Sequence, residues 1–266
     1  TDTLHWTSAV LSFMLKDLAK PVAVVGAQRS PDRGSFDGIM NLLCAGHFIG
    51  MDIGEVCIVM HGSINDDYCL AHRGVRVRKM HTSRRDAFRS VNDLPLAKIY
   101  PNGEKEILNE NYRKKGNCEV KPDTAFEPKV AMLKPYPNSL PDIIDWYVDK
   151  GFKGLVIEGT GLGHVPTGES GTKMGIFDKK MSWIPHIKKA VDEGVIVCMT
   201  SQCLYGRVNP FVYRNLRLVH KAGALYLEDM LPHVAVIKLG WVLGHTKDGE
   251  EAKQMMLENM AGEISE

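Results

Sequence analysis

The sequence predicts an α/β protein of two domains, with largely parallel sheets flanked by helices. Short apolar runs alternate with helically periodic segments in the first hundred residues, and the same alternation resumes after residue 128. A polar, aperiodic stretch at 100–127 separates the two series. Strands that alternate with helices are typical of parallel sheets. A chain of 266 residues is long enough for two such domains.

The first half of the chain opens with a helical pattern at 4–18, where apolar residues recur at three- and four-residue spacing. The apolar run 21–25 predicts a buried strand, and the turn 26–29 follows it. A helix is expected at 37–49 and a further strand at 55–60. This order of strand, loop, helix and strand indicates a parallel pair.

The second half repeats the pattern after the polar stretch. We predict strands at 129–133, 154–157 and 195–199, and helices at 141–150, 182–193, 210–222, 229–244 and 249–260. Trp146, Trp183 and Trp241 lie on apolar helical faces, which predicts core positions. The expected domains are 1–112 and 129–266, joined by a linker at 113–128.

Composition narrows the class of protein. The formal net charge is +1, so any binding to nucleic acid must rest on a local patch or on a partner. No apolar run is long enough to span a bilayer, and we expect no membrane association. None of the six cysteines forms a CxxC pair, and several lie in apolar runs. This indicates reduced core thiols and a cytoplasmic location.

The strongest chemical grouping is Thr1-Asp2-Thr3 together with Lys79. A threonine hydroxyl attacks an amide carbon only when a base removes its proton, and a desolvated lysine can be that base. Alternation along Val75, Val77 and Lys79 places the lysine on the apolar side of a strand. Asp2 is suited to orient the lysine or to bind a substrate ammonium group. From these residue types alone, capping or surface roles remain open.

Longer segments carry a family resemblance. Thr1-Asp2-Thr3, the VGAQR run at 25–29 and the segment 77–90 match, in order and spacing, the bacterial-type L-asparaginase family. The chain resembles especially one branch of that family, the D subunits of archaeal glutamyl-tRNA(Gln) amidotransferases. This closer resemblance runs through 60–90, 156–166, 199–213 and 228–246.

The resemblance implies an asparaginase-like two-domain fold and specific roles. Thr1, Asp2 and Lys79 would be the second catalytic threonine, the substrate-orienting carboxylate and the activating lysine. Ala27 and Gln28 match the loop that lines the amide side of the pocket. His164 lies in a loop that the C-terminal domain offers toward the site, at a position where many asparaginases have Asn. Its role in substrate binding is therefore left open.

One departure from the family pattern concerns the start of the chain. The family has a TGGT-type turn with the first catalytic threonine, and this sequence contains no such turn. The chain begins inside the HGTDT motif. We therefore expect a partial chain that also lacks any upstream accessory domain, and we expect this stretch alone to be inactive.

The resemblance also implies partners. The ammonia would pass to the E subunits of the same amidotransferases, which activate glutamyl-tRNA(Gln) with ATP and Mg²⁺ and make the main tRNA contacts. The D-type chain itself would need no metal and no cofactor. The histidines 61, 81, 164, 220 and 245 show no recognisable metal spacing. A homodimer within a larger complex is expected.

Several local patterns have competing interpretations. Thr1 could act as an N-terminal nucleophile with its own α-amine as base. Residues 159–163 resemble a dinucleotide loop, but Val165 stands where the last glycine is needed, so a tight turn is favoured. Residues 168–173 lack the Gly-Lys-Ser/Thr order of a phosphate loop and read as a flexible glycine-rich loop. The basic run 73–89 fits a solvated strand edge better than a tRNA contact.

The sequence alone leaves three functions open. The first is a glutaminase subunit that supplies ammonia for transamidation of Glu-tRNA(Gln). The second is a free-standing L-asparaginase, against which the segments 60–90 and 199–213 argue. The third is a non-catalytic assembly or tRNA-binding subunit.

Overall fold

The computed structural model describes residues 1–167 and 179–265. Internal contacts divide the chain into two compact units. Unit 1 comprises Thr1–Thr124 with Met260–Gly262, and unit 2 comprises Ala125–Asn259 with Glu263–Glu266. Both units combine helices with sheets, which confirms the predicted α/β class.

Unit 1 is built on a five-stranded mixed sheet. Its helices are α1 (Leu4–Met14) and α2 (Gly38–Ile49). Its strands are β1 (Leu15–Lys16), β2 (Val22–Val24), β3 (Val56–His61), β4 (Cys69–Arg73), β5 (Val77–Lys79), β6 (Phe88–Ser90), β7 (Ala97–Ile99), β8 (Lys105–Ile107) and β9 (Lys121–Pro122). The sheet order is β2-β3-β4-β7-β8, and β5-β6 and β1-β9 form separate pairs.

The parallel part of unit 1 is the pair β2-β3, which the helix α2 connects as predicted. Every other pair in this unit's described strands is antiparallel. The pair β1-β9 uses Lys121–Pro122, which lies inside the stretch 113–128 predicted as a linker.

The helix predicted at 4–18 ends earlier, at Met14. Leu15 and Lys16 leave the helix to pair with β9, and Asp17 takes a left-handed backbone conformation with φ of 54°. Leu18 is nevertheless buried. Its apolar side chain extended the helical pattern in the sequence, although the backbone there no longer follows a helix.

Strand β3 is buried on both faces and organises the core of unit 1. Cys57 and Val59 pack into a cluster that includes the inner face of α2, while Ile58 and Met60 pack into another with Val77 of the β5-β6 hairpin. This division follows from the alternation of side chains along a strand. As a result, the hairpin that contains Lys79 lies against the face of the sheet opposite α2.

Unit 2 contains a four-stranded, fully parallel sheet in the order β10-β11-β12-β13. Its strands are β10 (Val130–Leu133), β11 (Gly154–Gly159), β12 (Ile196–Ser201) and β13 (Leu225–Tyr226). Its helices are α3 (Asp142–Asp149), α4 (Ile184–Asp192), α5 (Arg214–Lys221), α6 (Pro232–His245) and α7 (Gly249–Leu257), and a 3-10 turn lies at Lys179–Met181.

Helices supply the apolar cover that this parallel sheet needs. Leu155 and Ile157 of β11 join a core cluster with residues of α3, α4 and α5, and α6 packs against the same strand. Trp183 and Trp241 are buried as predicted, but the prediction for Trp146 is wrong. Trp146 is 48% exposed, and its ring meets that of Tyr147 edge-on. None of the described helices is long and apolar enough to cross a membrane.

The buried histidine of β4 makes the stability of unit 1 depend on pH. Burial lowers the pKa of His72 from 6.5 to about 3, and the charge of Arg89 acts in the same direction. At pH values between these two pKa values, the unfolded chain binds a proton that the folded chain does not. The stability of the folded state that depends on neutral His72 is therefore complete above pH 6.5 and decreases as the pH falls below it. The expected loss attributable to His72 is roughly 2 kcal/mol between pH 7 and pH 5.

A His72→Gln variant, compared with the parent by urea unfolding at pH 7 and pH 5, tests this expectation. The variant keeps a polar side chain opposite Ser90 Oγ, which lies 2.9 Å from Nδ1 of His72. Its free energy of unfolding should fall less than that of the parent on acidification. Equal losses in both proteins would contradict the assignment.

Candidate active site

The amino-terminal residues and the β5-β6 hairpin meet in unit 1. Thr1 and Asp2 precede α1, and Lys79 is the last residue of β5, paired with Phe88 of β6. The Nζ atom of Lys79 donates hydrogen bonds to Thr1 Oγ1, at 2.8 Å, and to Asp2 Oδ1, at 2.6 Å. One ammonium group therefore connects the hydroxyl and the carboxylate that the sequence analysis had grouped.

Exposure separates the two ends of this grouping. The side chain of Lys79 is 10% exposed, whereas that of Asp2 is 90% exposed. The hydrogen bond from Lys79, followed by its charge, holds the pKa of Asp2 below its usual value. The lysine side chain is thus largely shielded from solvent, whereas the described residues leave the Asp2 carboxylate uncovered.

His5, at the start of α1, adds no second cation at neutral pH. Its pKa is lowered to about 4, first by burial and then by the positive charges of Arg78 and Lys79. The imidazole is consequently neutral under physiological conditions. The contact with both Thr1 and Asp2 is made by Lys79 Nζ.

The loop between β2 and α2 borders the threonine. Thr1 Oγ1 lies 3.4 Å from the Oε1 atom of Gln28, in hydrogen-bonding orientation. The Nε2 atom of Gln28 is buried and has no hydrogen-bond partner among the described residues. Ala27 is half-buried in the same loop, next to Gly38 of α2. The Gln28 amide thus places its oxygen beside the Thr1 hydroxyl and leaves its buried nitrogen without a partner among the described residues.

Gly26 allows this loop to approach Thr1 closely. A Cβ atom added at Gly26 would lie 3.0 Å from Thr1 Cγ2 and 3.2 Å from Leu4 Cδ1. These contacts are tighter than ordinary van der Waals separations. A side chain at residue 26 would therefore require Thr1 and Leu4 to shift by a few tenths of an ångström.

For the amide hydrolysis that the sequence resemblance implies, we expect Gly26→Ala in the full-length protein to lower the rate by roughly threefold to tenfold, because the added methyl group displaces Thr1 by a few tenths of an ångström, whereas about 1 Å of displacement costs roughly a hundredfold. The melting temperature should fall by only a few degrees, since one methyl group is added at the edge of the core. Steady-state ammonia release and thermal unfolding measure the two effects. Gly46→Ala is the control, because a Cβ there meets open space. Equal activity of the two variants would contradict the expectation.

His164 belongs to unit 2, in the turn that follows β11. The backbone N–H groups of Thr160 and His164 each donate to the other residue's carbonyl oxygen at 2.9 Å. Gly161 and Gly163 have positive φ values, and the His164 ring lies 5.6 Å from that of Tyr213. Residues 159–163 thus form the tight turn favoured by the sequence. The glycine-rich segment 168–173 lies outside the described residues.

Comparison with known proteins identifies the family. The sequence model described as "Asparaginase, N-terminal" matches residues 1–113, and "Glutaminase/Asparaginase C-terminal domain" matches residues 129–256. The chain belongs to the asparaginase family. Two solved asparaginases superpose on all of it at 28% identity: the thermostable L-asparaginase from Thermococcus kodakarensis, with a TM-score of 0.86, and L-asparaginase I from Vibrio cholerae, with 0.83. In each case the match covers 74% of the solved chain.

The curated relatives within the asparaginase family are more similar in sequence. They are D subunits of glutamyl-tRNA(Gln) amidotransferases: that of Pyrococcus furiosus is 58% identical over 265 residues, and that of Methanothermobacter thermautotrophicus is 52% identical over 266. Each match covers 100% of this chain. The chain spans 57% and 58% of the length of these two relatives.

Most of the positively charged side chains in the run 73–89 have hydrogen-bond or ion-pair partners within unit 1. Six of its cations have partners there: Arg73, Arg76, Lys79, Arg84, Arg85 and Arg89. Asp86 binds two of them, Arg84 and Arg89. The prediction of a solvated edge is wrong for Arg73 and Arg76, which are almost fully buried. These contacts do not favour a surface for tRNA phosphates at this run.

Three buried polar residues near the Gln28 loop were not predicted as part of the site: Asp37, Asn41 and His61. Asp37 precedes α2, where a carboxylate usually signals a helix cap, but its side chain makes no capping bond to the helix. Asn41 lies one turn later among apolar residues. The signal available in the sequence was Asn41 itself, a polar residue among apolar neighbours in a predicted helix.

A group with metal-binding side chains occurs in unit 2. Ligand atoms of Asp142, Asp145 and His186 lie within 4.8 Å of one another. Asp145 already pairs with His186 at 2.8 Å and with Lys189 at 3.3 Å. Lys189 therefore already supplies a positive charge beside the Asp145 carboxylate.

Proposed function

We propose that this chain is the catalytic part of a glutaminase subunit that releases ammonia for the transamidation of Glu-tRNA(Gln) to Gln-tRNA(Gln). The observation that carries the proposal is the position of Lys79 Nζ, within hydrogen-bond distance of both Thr1 Oγ1 and Asp2 Oδ1. A nucleophile, a base and an orienting carboxylate are the parts that amide hydrolysis requires. The similarity to the D subunits of glutamyl-tRNA(Gln) amidotransferases supports the tRNA-dependent role.

In the proposed chemistry, Lys79 acts in its neutral form as the base for Thr1. The hydroxyl proton moves to Nζ, and Oγ1 bonds to the carbon of the side-chain amide. Collapse of the tetrahedral intermediate breaks the C–N bond, and the proton leaves with ammonia. Water then cleaves the ester and returns the threonine hydroxyl.

Asp2 and Gln28 bind the substrate in this scheme. The exposed carboxylate of Asp2 suits the α-ammonium group of an amino acid, because the two charges attract and the carboxylate has a second oxygen to offer. The amide of Gln28 lies beside Thr1 Oγ1, where it can orient the amide under attack. We further propose a contribution from Ala27 of the same loop and from His164.

The wider assembly is also part of the proposal. The partner is a kinase of the E-subunit type that uses ATP and Mg²⁺, makes the main tRNA contacts and receives the ammonia. The chain itself works without a metal or cofactor, as a cytoplasmic homodimer inside the larger complex.

Ammonia release by the full-length protein tests this function. Release is measured from L-glutamine and from L-asparagine, with and without the partner loaded with glutamyl-tRNA(Gln). The proposal predicts a preference for glutamine and an increase on addition of the loaded partner. Partner-independent release that is faster from asparagine would favour a free-standing L-asparaginase, the function named for both solved relatives. No release under any condition would favour an assembly or tRNA-binding role.

A further inference from the structure

A fully buried carboxylate supports the loop that carries Gln28. Both oxygens of Asp37 accept the backbone N–H of Gln28, at 3.0 and 3.1 Å, and Oδ1 also accepts the N–H of Arg29 at 2.9 Å. Asp37 is 0% exposed. Its contacts are therefore directed at the backbone of the loop beside Thr1.

Asn41 connects this carboxylate to the beginning of the loop, at Gly26, and to the end of β3, at His61. Its Nδ2 donates to Asp37 Oδ2 at 3.2 Å and to the carbonyl of Gly26 at 2.9 Å. Its Oδ1 accepts the backbone N–H of His61 at 3.0 Å. Since a backbone N–H can only donate, this contact fixes which end of the amide faces Asp37.

His61 extends the same chain of contacts outward. Its Nδ1 lies 2.6 Å from Asn41 Oδ1, and its Nε2 lies 3.1 Å from Asp66 Oδ1. Asp66 in turn pairs with Arg85 at 2.7 Å. Its buried members, Asp37, Asn41 and His61, restrain one another, because altering one of them leaves a buried polar group of its neighbour without a partner.

We propose that Asp37, held by Asn41 and His61, is a positioning residue that sets the selectivity between glutamine and asparagine through the side chain of Gln28. Asp37 touches neither the substrate nor Thr1; it fixes the backbone from which the Gln28 amide reaches Thr1 Oγ1. The two substrates differ by one methylene group, so the depth of that amide in the pocket decides which one is held for attack. The inference rests on the proposed function, which it deepens.

The first test is Asp37→Asn in the full-length protein with its partner. The substitution keeps the shape but places an NH₂ group against at least one of the three donors. We expect kcat/KM for glutamine to fall by roughly tenfold to a hundredfold. The ratio of kcat/KM for glutamine to that for asparagine should change by about fivefold or more. A purely structural role would lower the active fraction and therefore kcat for both substrates equally.

A double-mutant cycle tests whether Asp37 acts through Gln28. In a Gln28→Ala background, Asp37→Asn should no longer change the substrate ratio, because the side chain that transmits the effect is absent. Asp93→Asn is the matched control, since Asp93 pairs with Arg73 and Asn109 away from the loop. Its ratio should equal that of the parent. If Asp37→Asn fails to fold, Asn41→Ser removes the donors to Gly26 and Asp37 and should change the ratio in the same way.

Hydrogen exchange keeps the two proposals distinguishable. The backbone amides of Gln28 and Arg29 should exchange faster in Asp37→Asn than in the parent, whether or not the protein releases ammonia. If the parent releases none, the proposed function fails, and unchanged exchange would also overturn the positioning role. If the parent is active, an unchanged KM and an unchanged substrate ratio in Asp37→Asn overturn the inference.

Discussion

Lys79→Met should reduce ammonia release from glutamine by roughly 10³-fold, the range typical for loss of a positioned general base. Methionine has a similar length but no proton-accepting nitrogen, so Thr1 Oγ1 loses the contact that measures 2.8 Å in the structure. The pKa of Asp2 should rise toward its ordinary value, because Lys79 is the main cause of its depression. Steady-state ammonia release by the full-length protein with its loaded partner is the measurement.

Lys98→Met provides the control for this substitution. Lys98 lies on β7 of the same unit, with its Nζ over the rings of Tyr68 and Tyr100. The control should keep parental activity within a factor of about two or three, as for a substitution away from the site. Both variants should retain the circular dichroism of the parent. Activity of Lys79→Met near that of Lys98→Met would eliminate the lysine as the base.

The lysine illustrates what sequence patterns predict well. Alternation along Val75, Val77 and Lys79 indicated an inward-facing side chain, and both valines are fully buried while Lys79 is largely so. Alternation is a local property that the chain carries wherever it folds. The contact of Lys79 with Thr1 spans 78 positions of sequence; residue chemistry alone left this grouping open, and the family resemblance supported it.

The network behind the loop shows what local patterns do not contain. Asp37 stands directly before α2, where a carboxylate usually caps a helix, but its carboxylate instead accepts N–H groups from a loop eight and nine residues earlier. His61 ends a buried strand, and its partner Asn41 is 20 positions away. Such pairings depend on how α2 packs on β3, which is a tertiary property.

Two incorrect predictions, for the end of the first helix and for the burial of Trp146, also concern tertiary contacts. The helix predicted to reach Leu18 stops at Met14 because Leu15 and Lys16 pair with a strand more than a hundred residues later. Trp146 lies on an apolar helical face, but about half of its surface stays uncovered within the described part of unit 2. Periodicity predicts which face of a helix is apolar, whereas burial requires a neighbour.

Lys238→Met should destabilise unit 2 by roughly 3–5 kcal/mol, the usual effect of breaking a buried ion pair from one side. Lys238 and Glu263 are both 0% exposed, and Nζ lies 2.6 Å from Oε1. Nζ also donates to the carbonyl oxygens of Met256 and Glu258. Burial lowers the pKa of Lys238, and the carboxylate of Glu263 opposes that shift. Urea unfolding monitored by circular dichroism measures the loss.

The substitution leaves Glu263 buried without its cation, and this stranded charge, more than the lost contact, carries the expected effect. Replacing both residues with methionine should therefore recover most of the stability, because no unpaired charge remains inside. Lys253→Met is the control: its pair with Glu250 lies on the surface of α7 and should contribute less than about 1 kcal/mol. Two results would contradict this role of the buried pair. One is a free energy of unfolding of Lys238→Met equal to that of Lys253→Met. The other is a double variant that is no more stable than Lys238→Met.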